Sequence, residues 1–371
     1  MPQLLFPLAK QVGRVPSMTL PLDAKQDARF KKLMEEAVMV DLHEHPMVLP
    51  DDMTNIIEYL RVGDYDWGYQ AAEHGGWAAV ATANCFRGMA KNRELSYISF
   101  EDLADEVGMM VAHMVQHKDS VVKVTTADEI LKAKAYGKVG FMPTVEHMAL
   151  GDQIQRVDTL YALGVRIAGL TYNLQNNLGS GLTERHDAGL TKFGIDVVHR
   201  MNDLGVAVDV SHAGMQTALD AVKHSKAPIL FSHNAAYTLR PTWRTRKDEE
   251  LKACAKKGGL VAVTAVPNSL SDDPKHNINV VLDHYDYLVK LLGIDHVAIG
   301  TDTLIGDHVA YHKLMLPGML RQYPVPYLDG LESPADGKNL IRGFILRGYT
   351  DPQIKKLAGE NALNFLRRTV G

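Results

Sequence analysis

Val206-Ala-Val-Asp-Val210 closes on Ser211-His212, and after a helix-like segment Pro228-Ile-Leu-Phe231 closes on Ser232-His233; this unit decides the fold. Both runs are short, β-branched and apolar on consecutive rather than alternating positions, as expected of strands buried on both faces of a parallel sheet. Residues 215–222 between them read as a crossover helix. The same unit recurs outward. Further runs lie at 37–41, 77–81, 139–142 and 165–170 upstream and at 259–263 and 297–300 downstream. Helix-like segments fall at 193–204, 248–256 and 280–292. Eight strands with helical crossovers predict an α/β fold, a closed (β/α)8 TIM barrel in one domain. An open, doubly wound sheet is the alternative, but no Gly-x-Gly-x-x-Gly follows the first run.

The composition agrees with a large globular core. Of 371 residues 46% are apolar and 23% charged, which excludes a disordered chain. Forty basic and 44 acidic residues leave a net charge of −4, so no basic excess points to nucleic acid or an anionic membrane surface. Two cysteines, Cys85 and Cys254, cannot build a disulfide framework or a cysteine zinc site. No apolar run is long enough for a membrane span. The apolar start of the chain is broken by Pro7, Lys10 and Gln11, unlike a signal peptide. The expectation is a cytoplasmic protein acting on a small molecule. Residues 1–30 read as an arm packed on the domain or on a second copy in a homo-oligomer, and 31–371 as the barrel.

Barrel enzymes build their sites at the C-terminal ends of the strands. Those ends carry His43-Glu44-His45, Glu146-His147, Thr171-Tyr172-Asn173, Ser211-His212, Ser232-His233 and Thr301-Asp302. In His43-x-His45 the period of two places both rings on one face, where they can chelate one ion. His212 and His233 end adjacent strands and can converge on a second. Glu146 can bridge the two, and Asp302 closes the ring beside the first strand. This imidazole–carboxylate set suits zinc, iron, manganese or cobalt better than calcium or magnesium. His147 should face away from Glu146, and Glu44 outward or behind the paired histidines. His199, His224, His276 and His284 fall on helices or loops and read as ordinary surface or core residues.

With these motifs in order, the sequence resembles the membrane (renal) dipeptidase family of binuclear metallopeptidases, within the amidohydrolase superfamily. The resemblance runs from about residue 37 to 369. It is densest over 189–199 leading to Val208-Asp-Val-Ser-His212, at Phe231-Ser-His233, and over Leu346-Arg-Gly-Tyr-Thr350 and Leu357-Ala-Gly-Glu-Asn361. It implies an amidohydrolase-like barrel holding two divalent ions, with zinc first and iron as the alternative. His43 and Glu146 would bind one ion, and Glu146, His212 and His233 the other. A metal-bridging hydroxide would attack the scissile carbonyl, and Asp302 would handle its protons. Arg244 aligns with an arginine that binds the substrate carboxylate; the other reading is a solvated loop charge beside Arg240, Arg246 and Lys247. The family usually has His-x-Asp where this chain has His45, and a histidine where it has Tyr172.

The leading expectation is therefore hydrolysis of an amide, a dipeptide or N-acyl amino acid, with Tyr172 donating to the carbonyl or oxyanion. The alternative keeps the barrel and makes it a non-heme diiron oxygenase, with Tyr172 as a phenolate ligand. Loops 46–76 and 303–335 should shape the pocket, and their Tyr59, Tyr65, Trp67, Tyr69, Tyr311, Tyr323 and Tyr327 suggest a partly aromatic wall.

Overall fold

A computed structural model describes residues 5–63, 65–91, 97–273, 275–315 and 327–370. Ten strands appear: β1 (Val40–Val48), β2 (Ala79–Asn84), β3 (Val121–Lys123), β4 (Val139–Val145), β5 (Ile167–Gly169), β6 (Ala207–Asp209), β7 (Leu230–Asn234), β8 (Leu260–Val263), β9 (Val297–Ile299) and β10 (Leu304–Ile305). Nine of them pair in parallel in the order β10-β1-β2-β4-β5-β6-β7-β8-β9, and β3 pairs in parallel with β4 off that path. Asp41 of β1 also pairs with Ile299 of β9, which closes the barrel and rules out the open sheet. The eight predicted runs supply the eight barrel strands. β3, which extends the sheet beyond β4, and β10, which follows the last barrel strand, were not anticipated.

The consecutive apolar pattern has its reason in the two faces. Ala79 and Ala81 of β2, and Leu260 and Ala262 of β8, belong to the inner cluster of the barrel. Val80, Val261 and Val263 pack in a different cluster, with the surrounding helices. Phe365 and Leu366 of the last helix join the inner cluster. The crossovers start and stop on local signals. Thr191 caps helix Lys192–Leu204 by accepting from the Gly194 amide, and Gly205, at φ 75°, ends it in the left-handed region that glycine enters freely. The helix buries Val197, Val198 and Met201 and leads directly into β6.

The chain before β1 runs along the barrel. Leu8 bridges Pro50, the Met18 amide donates to Asp329, and the Leu20 amide donates to Asn339. Helix Ala24–Glu36, opened by an Asp23 capping box, spans residue 30. Among the described residues no helix is long and apolar enough to cross a membrane.

Candidate metal centre

The polar strand ends meet at one mouth of the barrel. Glu146, just past β4, stands at the centre. Its Oε2 lies 3.1 Å from His43 Nε2 and 3.4 Å from His45 Nε2. Its Oε1 lies 2.9 Å from His212 Nε2 and 3.6 Å from His233 Nε2. One carboxylate thus presents a separate oxygen to each histidine pair. Asp302 Oδ1 is 3.1 Å from His45 Nε2 and 3.7 Å from His43 Nε2. Among the described residues four overlapping ligand-sized groups result, of which His43–His45–Asp302 and Glu146–His212–His233 share no residue. His43 and His45 lie inside β1, not beyond its end; the strand continues to Val48, with a register shift against β2 between Asp41 and Glu44.

The groups behind the rings set which nitrogen is free. His45 Nδ1 is 3.0 Å from the Ala83 carbonyl, which only accepts, so Nδ1 carries the hydrogen. His212 Nδ1 sits 2.8 Å from Asn173 Oδ1 in the same sense. Ser232 Oγ donates to Asp209 Oδ2 at 2.5 Å, which leaves its lone pairs for His43 Nδ1 at 3.2 Å and His233 Nδ1 at 2.8 Å. These partners assign all four Nε2 atoms as lone-pair donors facing two carboxylates. Two imidazole nitrogens, His212 Nε2 and His233 Nε2, face one another at 2.9 Å with no hydrogen left for either to share. Such a set suits cations in the cluster, with the outer hydrogen bonds fixing ring orientation as in metal sites generally.

The electrostatics agree. Burial opposes ionisation of Glu146, but His43, His212 and His45 hold its carboxyl well below the usual range. Burial likewise opposes charge on His45, yet Asp302 and Glu146 raise it to about 9. His212 falls to about 3 through burial and the neighbouring Arg244 cation. Without a metal, the pull of the two carboxylates favours a proton on His45.

Beneath the mouth lies a layer of which sequence reading anticipated Glu44 but not Asp41. Asp41 accepts from the His43 and Thr301 amides and from the Thr301 hydroxyl. Glu44 points behind the histidines and accepts from the Thr303 hydroxyl, with its carboxyl 2.8 Å from the Thr301 oxygen. Burial raises Asp41 to about 6 and Glu44 well above the carboxylate range, the latter also through the Asp41 charge. Period two could not place Asp41, because the register shift between Asp41 and Glu44 puts it on the Glu44 side of β1 rather than with His43 and His45. Asp302 adopts φ 58°, the sole left-handed non-glycine residue among those described. Aspartate tolerates that conformation better than most residues, and such local strain concentrates at functional sites.

Arg244 is not a solvated charge. Its guanidinium reaches the Ser211 carbonyl at 3.0 Å, the His233 carbonyl at 3.2 Å and His212 Nε2 at 3.2 Å. Arg240 and Arg246 pair elsewhere, with Asp272 and Glu250. The Tyr172 ring stacks on His212, with centroids 4.2 Å apart and planes 21° from parallel. Burial and the Glu146 charge keep its phenol strongly protonated. The His147 ring sits 5.8 Å from Tyr172 and belongs to none of the metal-sized groups among the described residues, as expected. His284 is a hydrogen-bonded core residue on helix Ile278–Leu292.

The cleft above the centre offers about 740 Å³ of space, part of it open to solvent. Of the anticipated aromatic residues, Tyr311 lines it, whereas Tyr59, Tyr65, Trp67 and Tyr69 are buried in the core. Tyr327 instead stacks under Arg14, and Tyr323 lies outside the described residues. Phe86 and Trp243, from other loops, complete the aromatic lining.

A parallel (β/α)8 barrel with buried His/Glu/Asp clusters at its mouth, suited to a binuclear metal site, defines an amidohydrolase-like metallohydrolase. Within that class the chain belongs to the membrane dipeptidase family, peptidase family M19, whose model matches residues 27–314. It is therefore a dipeptidase-type metallohydrolase. The chain is 28% identical over 368 residues to the uncharacterized dipeptidase C965.12 of Schizosaccharomyces pombe, covering 92% of this chain and 82% of the relative. An amidohydrolase from Pseudomonas aeruginosa superposes with a TM-score of 0.79 at 26% identity, over 92% of this chain and 99% of that one. A metallopeptidase from Rhodobacter sphaeroides, liganded with a phosphinate mimic of L-Ala-D-Ala, gives 0.70 at 21% identity, over 90% and 99%.

Proposed function

We propose that this protein hydrolyses a small amide bearing a free carboxylate, a dipeptide or N-acyl amino acid, with two divalent ions, zinc in the first instance. The observation that carries the reading is Glu146, whose two oxygens each face one histidine pair. His43 and His45 would hold one ion, and His212 and His233 the other, with Glu146 shared. Bound there, the ions would supply a water-derived nucleophile at neutral pH and polarise the carbonyl.

The chain's own groups do the rest. Asp302, on the rim of the cleft, takes the proton from the attacking water and returns it to the leaving nitrogen. Tyr172, held protonated and lining the cleft, donates to the developing oxyanion. Arg244, whose guanidinium bonds the Ser211 and His233 carbonyls and His212, would turn from these partners to meet a substrate carboxylate with its planar fork. Residues 1–30 serve as an arm on a barrel formed by 31–371, whose work takes place in the cytoplasm.

Metal analysis of active protein tests this reading. Two ions per chain, with hydrolysis of carboxylate-bearing amides, are expected. One ion per active chain would remove the bridging role. A coloured, iron-loaded protein inert to every amide would replace the hydrolase with the diiron oxygenase.

A further inference from the structure

β2 lies between the strand that carries the first histidine pair and the strand that leads to the central glutamate. It pairs with β1 on one side and β4 on the other. Its register against β4 sets Asn84 opposite Val145, so Cys85 follows at the level of Glu146, whose amide reaches the Asn84 carbonyl at 3.4 Å. On the β1 side the Ala83 carbonyl holds His45 through Nδ1 at 3.0 Å. The end of β2 is thus tied to both residues. Cys85 Sγ, a ring nitrogen of His45 and a Glu146 oxygen come within 4.8 Å of one another, a group of metal-binding size.

The thiol is held in place from behind. The Cys85 amide donates to Glu106 Oε1 at 3.0 Å and the Arg87 amide to Glu106 Oε2 at 2.7 Å, so one carboxylate on helix Phe100–Gln116 clamps the turn out of β2. Cys85 is 1% exposed, and its sulfur makes no hydrogen bond to a described residue. Cys254, the other buried thiol, instead points at the Ile229 and Leu260 carbonyls, the weak donor role of an ordinary core cysteine. Burial and the Glu146, Glu106 and Asp302 charges keep Cys85 protonated while no cation is near. A bound dication reverses that balance, because a coordinating thiol gives up its proton. In the arrangement proposed above, Glu146 is the anionic ligand and two dications share it. A thiolate brings a second anion to the ion on the His45 side.

We infer that Cys85 Sγ is a further protein ligand of the ion held by His43 and His45, and that this ion is one with affinity for sulfur, zinc or cadmium ahead of manganese or magnesium. The inference rests on the two-ion reading above. Imidazole, carboxylate and thiolate are the three donor types that zinc takes, and thiolate selects against the hard ions. On binding, the S–H bond gives its proton to the buffer, the sulfur electron pair forms the bond to the ion, and nothing is oxidised or reduced. The ion held by His212 and His233 keeps nitrogen and oxygen ligands, so the two positions differ in softness.

X-ray absorption at the zinc edge tests this on the full chain, stripped of metal and reloaded with zinc. One of the two ions should show a sulfur neighbour at about 2.3 Å, resolved from nitrogen and oxygen at about 2.0–2.2 Å, and Cys85→Ser should remove it. A shell of nitrogen and oxygen alone overturns the inference and leaves the two-ion reading intact, as does a sulfur signal that survives the substitution. A chain that takes up no zinc overturns both. In the same variant one zinc-binding step should weaken more than the corresponding manganese step; equal losses overturn the preference for sulfur-binding ions. Should Cys85→Ser fail to fold, the unaltered chain still answers. Cadmium should raise a near-ultraviolet sulfur-to-cadmium charge-transfer band that saturates at one ion per chain, and binding without that band overturns the inference.

Discussion

Ser232 touches both histidine pairs without facing the cleft, and Ser232→Ala is the sharpest probe of the metal centre. Its hydroxyl orients His43 at 3.2 Å and His233 at 2.8 Å and donates to Asp209 at 2.5 Å. Alanine leaves both Nδ1–H groups without that acceptor and removes one of Asp209's donors. Loss of an outer hydrogen bond to a metal-binding histidine typically costs about 10–100-fold in affinity. In the proposed arrangement His43 and His233 would hold different ions, so both ions should weaken by that factor, about 1.4–2.7 kcal/mol each. The stranded donor and acceptor should also cost the metal-free fold about 1–3 kcal/mol. Competition titration against a chelating indicator, with two resolved binding steps, measures the first effect, and urea unfolding of metal-free protein the second. Asn173→Ala, which frees His212 alone, is the control and should weaken one step only. If Ser232→Ala shifts one step, or neither, the tautomer assignment built on Ser232 is wrong.

Asp302→Asn should abolish most turnover, by about 10²–10⁴-fold, with both ions retained in elemental analysis; loss of an ion would make Asp302 chiefly a ligand. Tyr172→Phe keeps the ring stacked on His212, so metal content should hold while kcat falls by about 10²–10³-fold if the phenol donates to the oxyanion. Disappearance of a visible absorption band in that variant would favour the oxygenase. Because His45 is raised from 6.5 to about 9, its proton competes with the ion at neutral pH. Affinity for that ion should therefore climb as pH rises towards 9 and level off above it. In the metal-free chain the raised value contributes stability that is fully present below about 6.5 and is lost as pH rises through about 9, which denaturation at several pH values would show.

Much of this was written in the linear chain. Strands buried on both faces must be apolar at consecutive positions, so the eight barrel strands were visible as runs, and the chemistry-bearing residues followed from reading what comes next. His43, His45, Glu146, His212, His233 and Asp302 converge for that local reason: a strand end in a closed parallel barrel points at one mouth. β3 escaped notice because Val122 and Lys123 are exposed, and β10 because two residues make no pattern. Tertiary structure alone decided the rest. Whether Arg244 faced solvent or the site depended on the path of a loop after β7, which has no periodicity to read. The service of Asp41, Asp209, Ser232 and Asn173 behind the rings depended on distances between strands remote in sequence, such as the 189 positions between His43 and Ser232. The wall of the cleft was misplaced for the same cause. Burial makes an aromatic loop residue favourable in the core as readily as in a pocket, and only packing assigned Tyr59 and Trp67 to the one and Phe86 and Tyr311 to the other.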